Sequence, residues 1–434
     1  MGQQIGILGA GLSGLSAAYH LGTGYDIFEQ EAEVGGLCRT IEHDGFVFDY
    51  TGHLLHLRDD SVRQLITMFL PDCFQLHQRR ANIYSQGRCI DYPFQANIHG
   101  LPVETIKECI LGFVDSLIRH TSSNSSQKSL SFREWVLETF GAGVARYFMF
   151  PYNQKLWKTR LDEMAADWVA WSIPKPTFEE FLNGALGIKN SDFGYNPTFL
   201  YPESGGIFQL PLAFLSSLQA DKLHLRKKVV AVDAQKRLVT FDDRSSYHYD
   251  RLISTLPLKT FVGLLQNIPE SIRNAADHLR YISVYDINIG VNRPYISDQH
   301  WSYFPEPEFI FYRIGFPMNF SKNVVPEGCS SMYVEVSALP HEEYAEETLL
   351  EQVYDGLYRC GLLKKTDEIL VADVLRLDCA YVIHDLYRSR ALATILPCLE
   401  QYKISSIGRY GAWEYNSMEG AILAGKQIAK RLRL

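Results

Sequence analysis

Gly9-Ala10-Gly11-Leu12-Ser13-Gly14 is the stretch whose residue types and spacing most directly imply chemistry. It has the form GxGxxG. It follows the apolar run Gln4–Leu8 and opens a segment with helical spacing through Leu21. A second apolar run, Tyr25–Phe28, ends at Glu29. Strand, glycine turn, helix, strand and terminal acid in this order aim backbone N–H groups and the positive end of a helix at a pyrophosphate. The acid then stands where it can accept from ribose hydroxyls. Gly9, Gly11, Gly14 and Glu29 are therefore expected to bind a nucleotide, the plain alternative being a tight strand–helix turn without a ligand.

The elements that must position such a site can be read along the chain. Residues 61–190 have mainly helical spacing, clearest near 103–119, 131–140 and 142–150, with a polar run at 121–128 that reads as a surface loop. The Gly- and Asn-rich segment 183–197 reads as a loop or lid. Short strands are expected across 223–256 and alternating strands across 280–338, then a helix near 345–360. The final helix is expected to start near Asn416 or Ser417, with Asn416 and Glu419 at capping-box spacing. Met418, Ile422, Ile428 and Leu432 then recur on roughly one face.

Bulk properties narrow the class. A chain of 434 residues with 46% hydrophobic and 21% charged residues suits a globular protein of two or three domains. A net charge of -8 with mixed signs argues against a nucleic-acid partner. No apolar run approaches the ~18 residues of a spanning helix, and the apolar start lacks a basic leader. Eight scattered cysteines without CxxC spacing suit reduced thiols and a cytoplasmic location, and no metal site is expected.

After Glu29 the chain reads Gly35-Gly36-Leu37-Cys38-Arg39-Thr40, and near its end Gly408-Arg409. With these motifs, Val229–Asp233 and Asp250–Pro257, it resembles the FAD-dependent amine oxidase-like superfamily. The resemblance implies an α/β fold: a Rossmann-like FAD-binding domain built from both chain ends, with an inserted helical region and an antiparallel β-sheet substrate domain. The expected division is FAD-binding parts at 1–75, 201–262 and 391–434, a mainly helical substrate or lid domain at 76–200, and an antiparallel sheet at 263–390. It implies FAD contacts at Gly36, Arg39, Val230, Gly408, Arg409 and Met418 besides the first motif.

Within that superfamily, Thr51-Gly52-His53, Tyr92-Pro-Phe-Gln95, Pro151-Tyr-Asn153-Gln-Lys155-Leu-Trp157 and Tyr303 followed by Tyr312-Arg313 resemble the UDP-galactopyranose mutases, particularly the eukaryotic-type branch. Tyr381 and Tyr415 fall where that pattern has aromatic hydroxyls. The resemblance implies redox-neutral pyranose/furanose isomerisation of a nucleoside-diphosphate sugar, with reduced flavin N5 as the nucleophile. In that scheme Tyr92 stacks on the base, Gln95 bonds its edge, and Asn153 and Trp157 face the same pocket. Arg313 clamps a phosphate, helped by Tyr303, Tyr381 and Tyr415, and His53 lies near the flavin. Each has a plainer reading: an edge-strand turn for Tyr92–Gln95, core for Trp157, a salt bridge for Arg313, a structural histidine for His53. One departure stands out. The family has a second arginine where this chain has Ser172, for which Lys158, Arg160 or Lys175 would have to substitute. The alternatives are a hydride-abstracting FAD oxidoreductase of the amine oxidase or protoporphyrinogen oxidase type, and a non-catalytic FAD-binding protein.

Overall fold

Ile5-Gly-Ile-Leu8 is buried along its whole length, as a continuous apolar strand in a parallel sheet must be. A computed structural model of the chain describes residues 4–122, 130–169, 173–189 and 197–433. In it this strand is the centre of a five-stranded parallel sheet, ordered Ile404–Ser406, Arg251–Ser254, Ile5–Leu8, Tyr25–Phe28 and Leu223–His224. The sheet thus draws on three remote stretches of sequence.

Two helices complete this layer, and small residues allow them to meet. Helix Leu12–Leu21 crosses helix Met418–Arg433 so closely that a Cβ on Gly425 would lie 2.5 Å from the Ser13 carbonyl oxygen. The Ser16 hydroxyl donates to the Ile422 carbonyl at 2.7 Å in the same crossing. The expected Asn416–Glu419 capping pair is not what forms. Ser417 Oγ accepts from the Gly420 N–H instead, at 3.2 Å. Glu419 is buried and accepts the N–H groups of Arg58 and Asp59 at 2.6 and 2.8 Å, just ahead of helix Asp60–Phe69. Two amides converging on one buried carboxylate outweigh the single bond that Glu419 would give to a capping box.

The second layer is a seven-stranded sheet in the order Ile369–Val382, Tyr281–Val291, Ser330–Ala338, Arg313–Gly315, Trp301–Tyr303, Ala81–Ser85 and Arg88–Asp91. Its ladders are antiparallel except where Trp301–Tyr303 meets Ala81–Ile83. Strand Ser330–Ala338 is buried throughout and strand Tyr281–Val291 from Ile282 onward. One face packs Ile287, Ile289, Val334 and Val336 with Leu349, Val353 and Leu357 of helix Glu346–Arg359. The opposite face meets hairpin Thr40–His43/Phe46–Asp49, with the Phe46 ring against Gly290.

Helices Val103–Ser122, Phe132–Val144, Phe150–Trp157 and Phe178–Leu186 form the insert. The expectation of a mainly helical 76–200 needs one correction: the hairpin Ala81–Ser85/Arg88–Asp91 lies inside it and extends the seven-stranded sheet. Of the alternating run 309–316, only Arg313–Gly315 is strand. Ser172, the greater part of the polar run 121–128 and the middle of 183–197 lie outside the described residues. Among the described residues no helix is long and apolar enough to cross a membrane.

Candidate active site

Backbone geometry builds the first half of the site. Gly9 has φ +95°, and a Cβ there would collide with the Thr255 hydroxyl; a Cβ on Gly14 would overlap the Gly9 carbonyl. Gly11 differs: a Cβ on it would meet nothing nearer than Gly36 Cα at 3.8 Å, which leaves the turn open above the helix start. The Gly35 N–H donates to the Ala10 carbonyl at 2.9 Å and brings the second glycine pair alongside the first. Glu29 is buried; its carboxylate accepts from the Ala10 N–H at 2.7 Å and the Glu31 N–H at 3.0 Å. It therefore fixes the turn as well as standing at the strand end.

The remaining nucleotide-side residues gather round this cradle. Arg39 pairs with Glu33 at 3.0 Å and lies 5.9 Å from the Tyr50 ring. Gly408, at φ +78°, stands where a Cβ would strike Ser13 Oγ in the first turn of the first helix. Met418 packs on the core that this helix shares. Val230 sits at a register shift between Val229 and Ala231, its side chain exposed. Its strand reaches the cradle because Lys227 and Arg226 N–H groups donate to the Glu29 and Glu31 carbonyls at 2.7 and 3.0 Å. An open double-glycine turn at a helix N-terminus suits a dinucleotide such as FAD.

Side chains build the second half. Arg409 Nη1 donates to the Asn416 carbonyl at 2.5 Å, and its guanidinium lies 4.8 Å from the Tyr415 ring and 5.2 Å from the Tyr381 ring. The Tyr381 and Tyr415 rings stack at 6.1 Å, with Trp157 edge-on to both. Arg313 reaches the Tyr381 hydroxyl at 3.3 Å. Tyr303 packs against Tyr92 at 5.0 Å, and the Arg79 guanidinium lies 4.9 Å from the Tyr92 ring. Burial pushes the Tyr92, Tyr303 and Tyr381 phenols up, so they are neutral donors. The structure thus gathers Tyr92, the paired strands of Tyr303 and Arg313, Tyr381, and the stretch that carries both Arg409 and Tyr415.

Several of these groups already have partners. Arg313 Nε and Nη2 donate to the two Glu335 oxygens at 3.0 and 2.6 Å, one face of its fork being taken by a fully buried carboxylate. Burial works against the Arg313 charge, but Glu335 together with the surrounding tyrosines outweighs it and holds the guanidinium ionised. Asn153 and Trp157 share a side of their helix as expected, yet they bond each other rather than line an open pocket. The indole N–H donates to Asn153 Oδ1 at 3.2 Å, and Asn153 Nδ2 donates to the Met149 carbonyl at 2.7 Å. Trp157 is core, 2% exposed. Gln95 donates to the Pro174 carbonyl at 2.8 Å, leaving only its Oε1 without a partner among the described residues. The proposed stand-ins for the arginine missing at Ser172 are engaged elsewhere: Lys158 with Glu342, Arg160 with Asp162, Lys175 over Trp135.

His53 lies within reach of the Arg409 and Arg313 charges. Burial, then the Arg409 charge, pushes it down to about 4, so the imidazole is neutral, and its Nδ1 has no partner among the described residues. Three positioning residues escaped the sequence reading. Glu335 holds Arg313, Asp286 accepts the Thr51 N–H at 3.0 Å, and His384 Nε2 accepts the Tyr415 N–H at 3.2 Å. The available signal was an acid amid apolar strand residues, in Tyr285-Asp286-Ile287 and Val334-Glu335-Val336. Among the described residues no group of three His, Cys, Asp or Glu side chains could hold a metal ion.

A dinucleotide sheet facing an antiparallel sheet, with the site between them, defines a flavoprotein of the amine oxidase fold. The chain belongs to the family of flavin containing amine oxidoreductases, which matches residues 12–433, and its cofactor is FAD. Its fold is similar to that of reduced UDP-galactopyranose mutase, with a TM-score of 0.94, 28% identity, and coverage of 100% of this chain and 94% of the other. It shares its fold with putrescine oxidase bound to putrescine, at a TM-score of 0.67, 16% identity and 99% coverage of both chains. In sequence it is 24% identical over 302 residues to protoporphyrinogen oxidase 2, chloroplastic/mitochondrial, of Arabidopsis thaliana, over 59% of this chain and 58% of that protein. The chain thus spans less than two thirds of that curated relative.

Proposed function

We propose that this flavoenzyme is a redox-neutral mutase, interconverting the pyranose and furanose forms of a nucleoside-diphosphate sugar. The observation that carries the reading is the constellation of Arg313, Tyr381, Tyr415 and Arg409: two guanidiniums and two phenols around one chamber beside the nucleotide cradle. Bound FAD, in its reduced form, supplies the nucleophile for the anomeric carbon. The edge of Arg313 not taken by Glu335 and the neutral phenols of Tyr303 and Tyr381 bind the diphosphate and stabilise its charge as it leaves. Tyr92, backed by the Arg79 guanidinium, offers a face to the base. His53, Arg313, Tyr303, Tyr381 and Tyr415 are the catalytic residues in this reading; Tyr92 and Gln95 bind substrate, and Asn153 and Trp157 support the floor. No side-chain nucleophile is required.

A second reading, hydride abstraction by an oxidoreductase, is favoured by one observation: Arg313 is half neutralised by Glu335, and Lys158, Arg160 and Lys175 are engaged elsewhere. Anaerobic reduction with dithionite followed by UDP-galactofuranose separates the two. Conversion to UDP-galactopyranose in the reduced sample alone supports the mutase. No conversion and no UDP binding transfers the weight to the oxidoreductase.

A further inference from the structure

Lys155 lies in helix Phe150–Trp157 between Asn153 and Trp157, but its side chain reaches a different neighbour. Its Nζ donates to three main-chain carbonyls at once: Phe304 at 2.8 Å, Phe311 at 3.2 Å, and Glu306. All three belong to the loop that joins strand Trp301–Tyr303 to strand Arg313–Gly315. Tyr303 and Arg313 face each other in that ladder, so they stand at the two ends of the loop Lys155 holds. Tyr152, three residues earlier and on the same side of the helix, packs edge-on against Tyr303 at 5.4 Å and Tyr312 at 6.3 Å. Trp157, from the same helix, is edge-on to Tyr381 and Tyr415. One short helix therefore touches both halves of the chamber. The Arg313 side chain keeps 21% of its surface exposed, so a ligand can reach it.

Three carbonyls converging on one nitrogen need three N–H groups, which only the ammonium form has. A neutral amine donates at most two bonds and turns its lone pair toward the third carbonyl. We propose that Lys155 is a positioning residue of the substrate chamber: its ammonium clamps the 304–311 loop to helix Phe150–Trp157 and so holds Tyr303 and Arg313 in place opposite Tyr381 and Tyr415. The inference rests on the reading that Arg313 and Tyr303 bind a diphosphate. Burial pushes Lys155 down to about 7, against the pull of Glu306 and Glu308 in the loop itself. Arg359, from helix Glu346–Arg359, is engaged with the Glu308 carbonyl at 3.2 Å and with Asp355. The clamp thus loosens as pH rises above about 7.

The test compares FAD-loaded wild type with Lys155→Met, which keeps the length of the side chain and removes its donors. Calorimetry uses UDP-galactopyranose, whose diphosphate diester does not titrate near neutrality. At pH 6, well below its melting temperature, the variant should bind this ligand about tenfold more weakly, with FAD affinity and flavin spectrum unchanged. The gap should narrow as pH rises above about 7, because wild type loses its third bond and the variant has none to lose. Without ligand, amide exchange across 304–313 should be about tenfold faster in the variant. Should Lys155→Met fail to fold, Lys155→Gln, whose amide still donates to carbonyls, shows the same losses at smaller size. Unchanged ligand affinity and unchanged exchange in the variant would overturn the proposal even if it melts earlier. So would a gap that stays constant up to pH 9. A wild type that binds no UDP-galactopyranose refutes the mutase reading, and the ligand-free exchange then decides the role of Lys155.

Discussion

The nucleotide cradle and the substrate chamber are built by opposite means. The cradle is backbone: glycines whose missing Cβ atoms let strand, turn and helix close on one another, with Glu29 clamping the Ala10 and Glu31 amides. The chamber is side chain: Arg313, Tyr381, Tyr415 and Arg409 lean on one another, and Tyr303 packs on Tyr92 and Tyr152. A backbone site is specified by local sequence and fails outright when one atom is added. A side-chain site is specified by register and should degrade in steps.

The sharpest way to break this contrast is Gly14→Val. Added carbons at the Gly9 carbonyl open the strand–helix turn, so the variant should purify colourless, with no flavin absorbance. Next comes the chamber's buried pair. Arg313→Ala leaves the fully buried Glu335 without its partner and should lower unfolding free energy by about 3 kcal/mol in chemical denaturation. The same variant, held well below its melting temperature, should bind UDP at least tenfold more weakly by calorimetry, about 1.4 kcal/mol. Unchanged UDP affinity would restrict Arg313 to a structural role. Trp157→Phe removes the indole bond to Asn153 and leaves a cavity in the core; stability should fall by about 2 kcal/mol while UDP affinity holds.

A separate effect depends on pH. Unfolded His53 takes up its proton near 6.5, whereas the folded form resists until about 4, so between these values the unfolded state binds more protons. Stability is full above about 6.5 and falls as pH drops toward 4. His53→Gln should flatten that decline by one proton's slope relative to wild type, with the contributions of His300 and His384, both pushed down to about 3, left in place.

The same contrast explains what could be read in advance. Gly9, Gly11, Gly14 and Glu29 occupy 21 consecutive positions, and order alone exposes their purpose. Two strands of the five-stranded sheet, Ile5–Leu8 and Tyr25–Phe28, followed from the same motif, and the mixed α/β class from it together with the family resemblance. The Arg313–Glu335 and Asp286–Glu335 neighbours exist only because three strands pair in one register, Arg313 opposite Glu335 and Glu335 opposite Asp286. Nothing local announces such a row, beyond an acid set among apolar strand residues. Asn153 and Trp157 were legible as a helical pair but not as partners of each other, since spacing gives direction and not occupancy. The hairpin at 81–91 was hidden because its strands are short and earn their place by pairing with Trp301–Tyr303, some 220 residues on.

The crossing at Gly425 has a consequence for how the protein is made. Helix Leu12–Leu21 and the central strand are synthesised well before the helix that seals them, which lies about 400 residues downstream. At synthesis rates of about 5–20 residues per second the nascent cradle waits roughly 20–80 s for its own lid. During that interval its apolar helix face is a client for chaperones, and stable capture of FAD waits for helix Met418–Arg433.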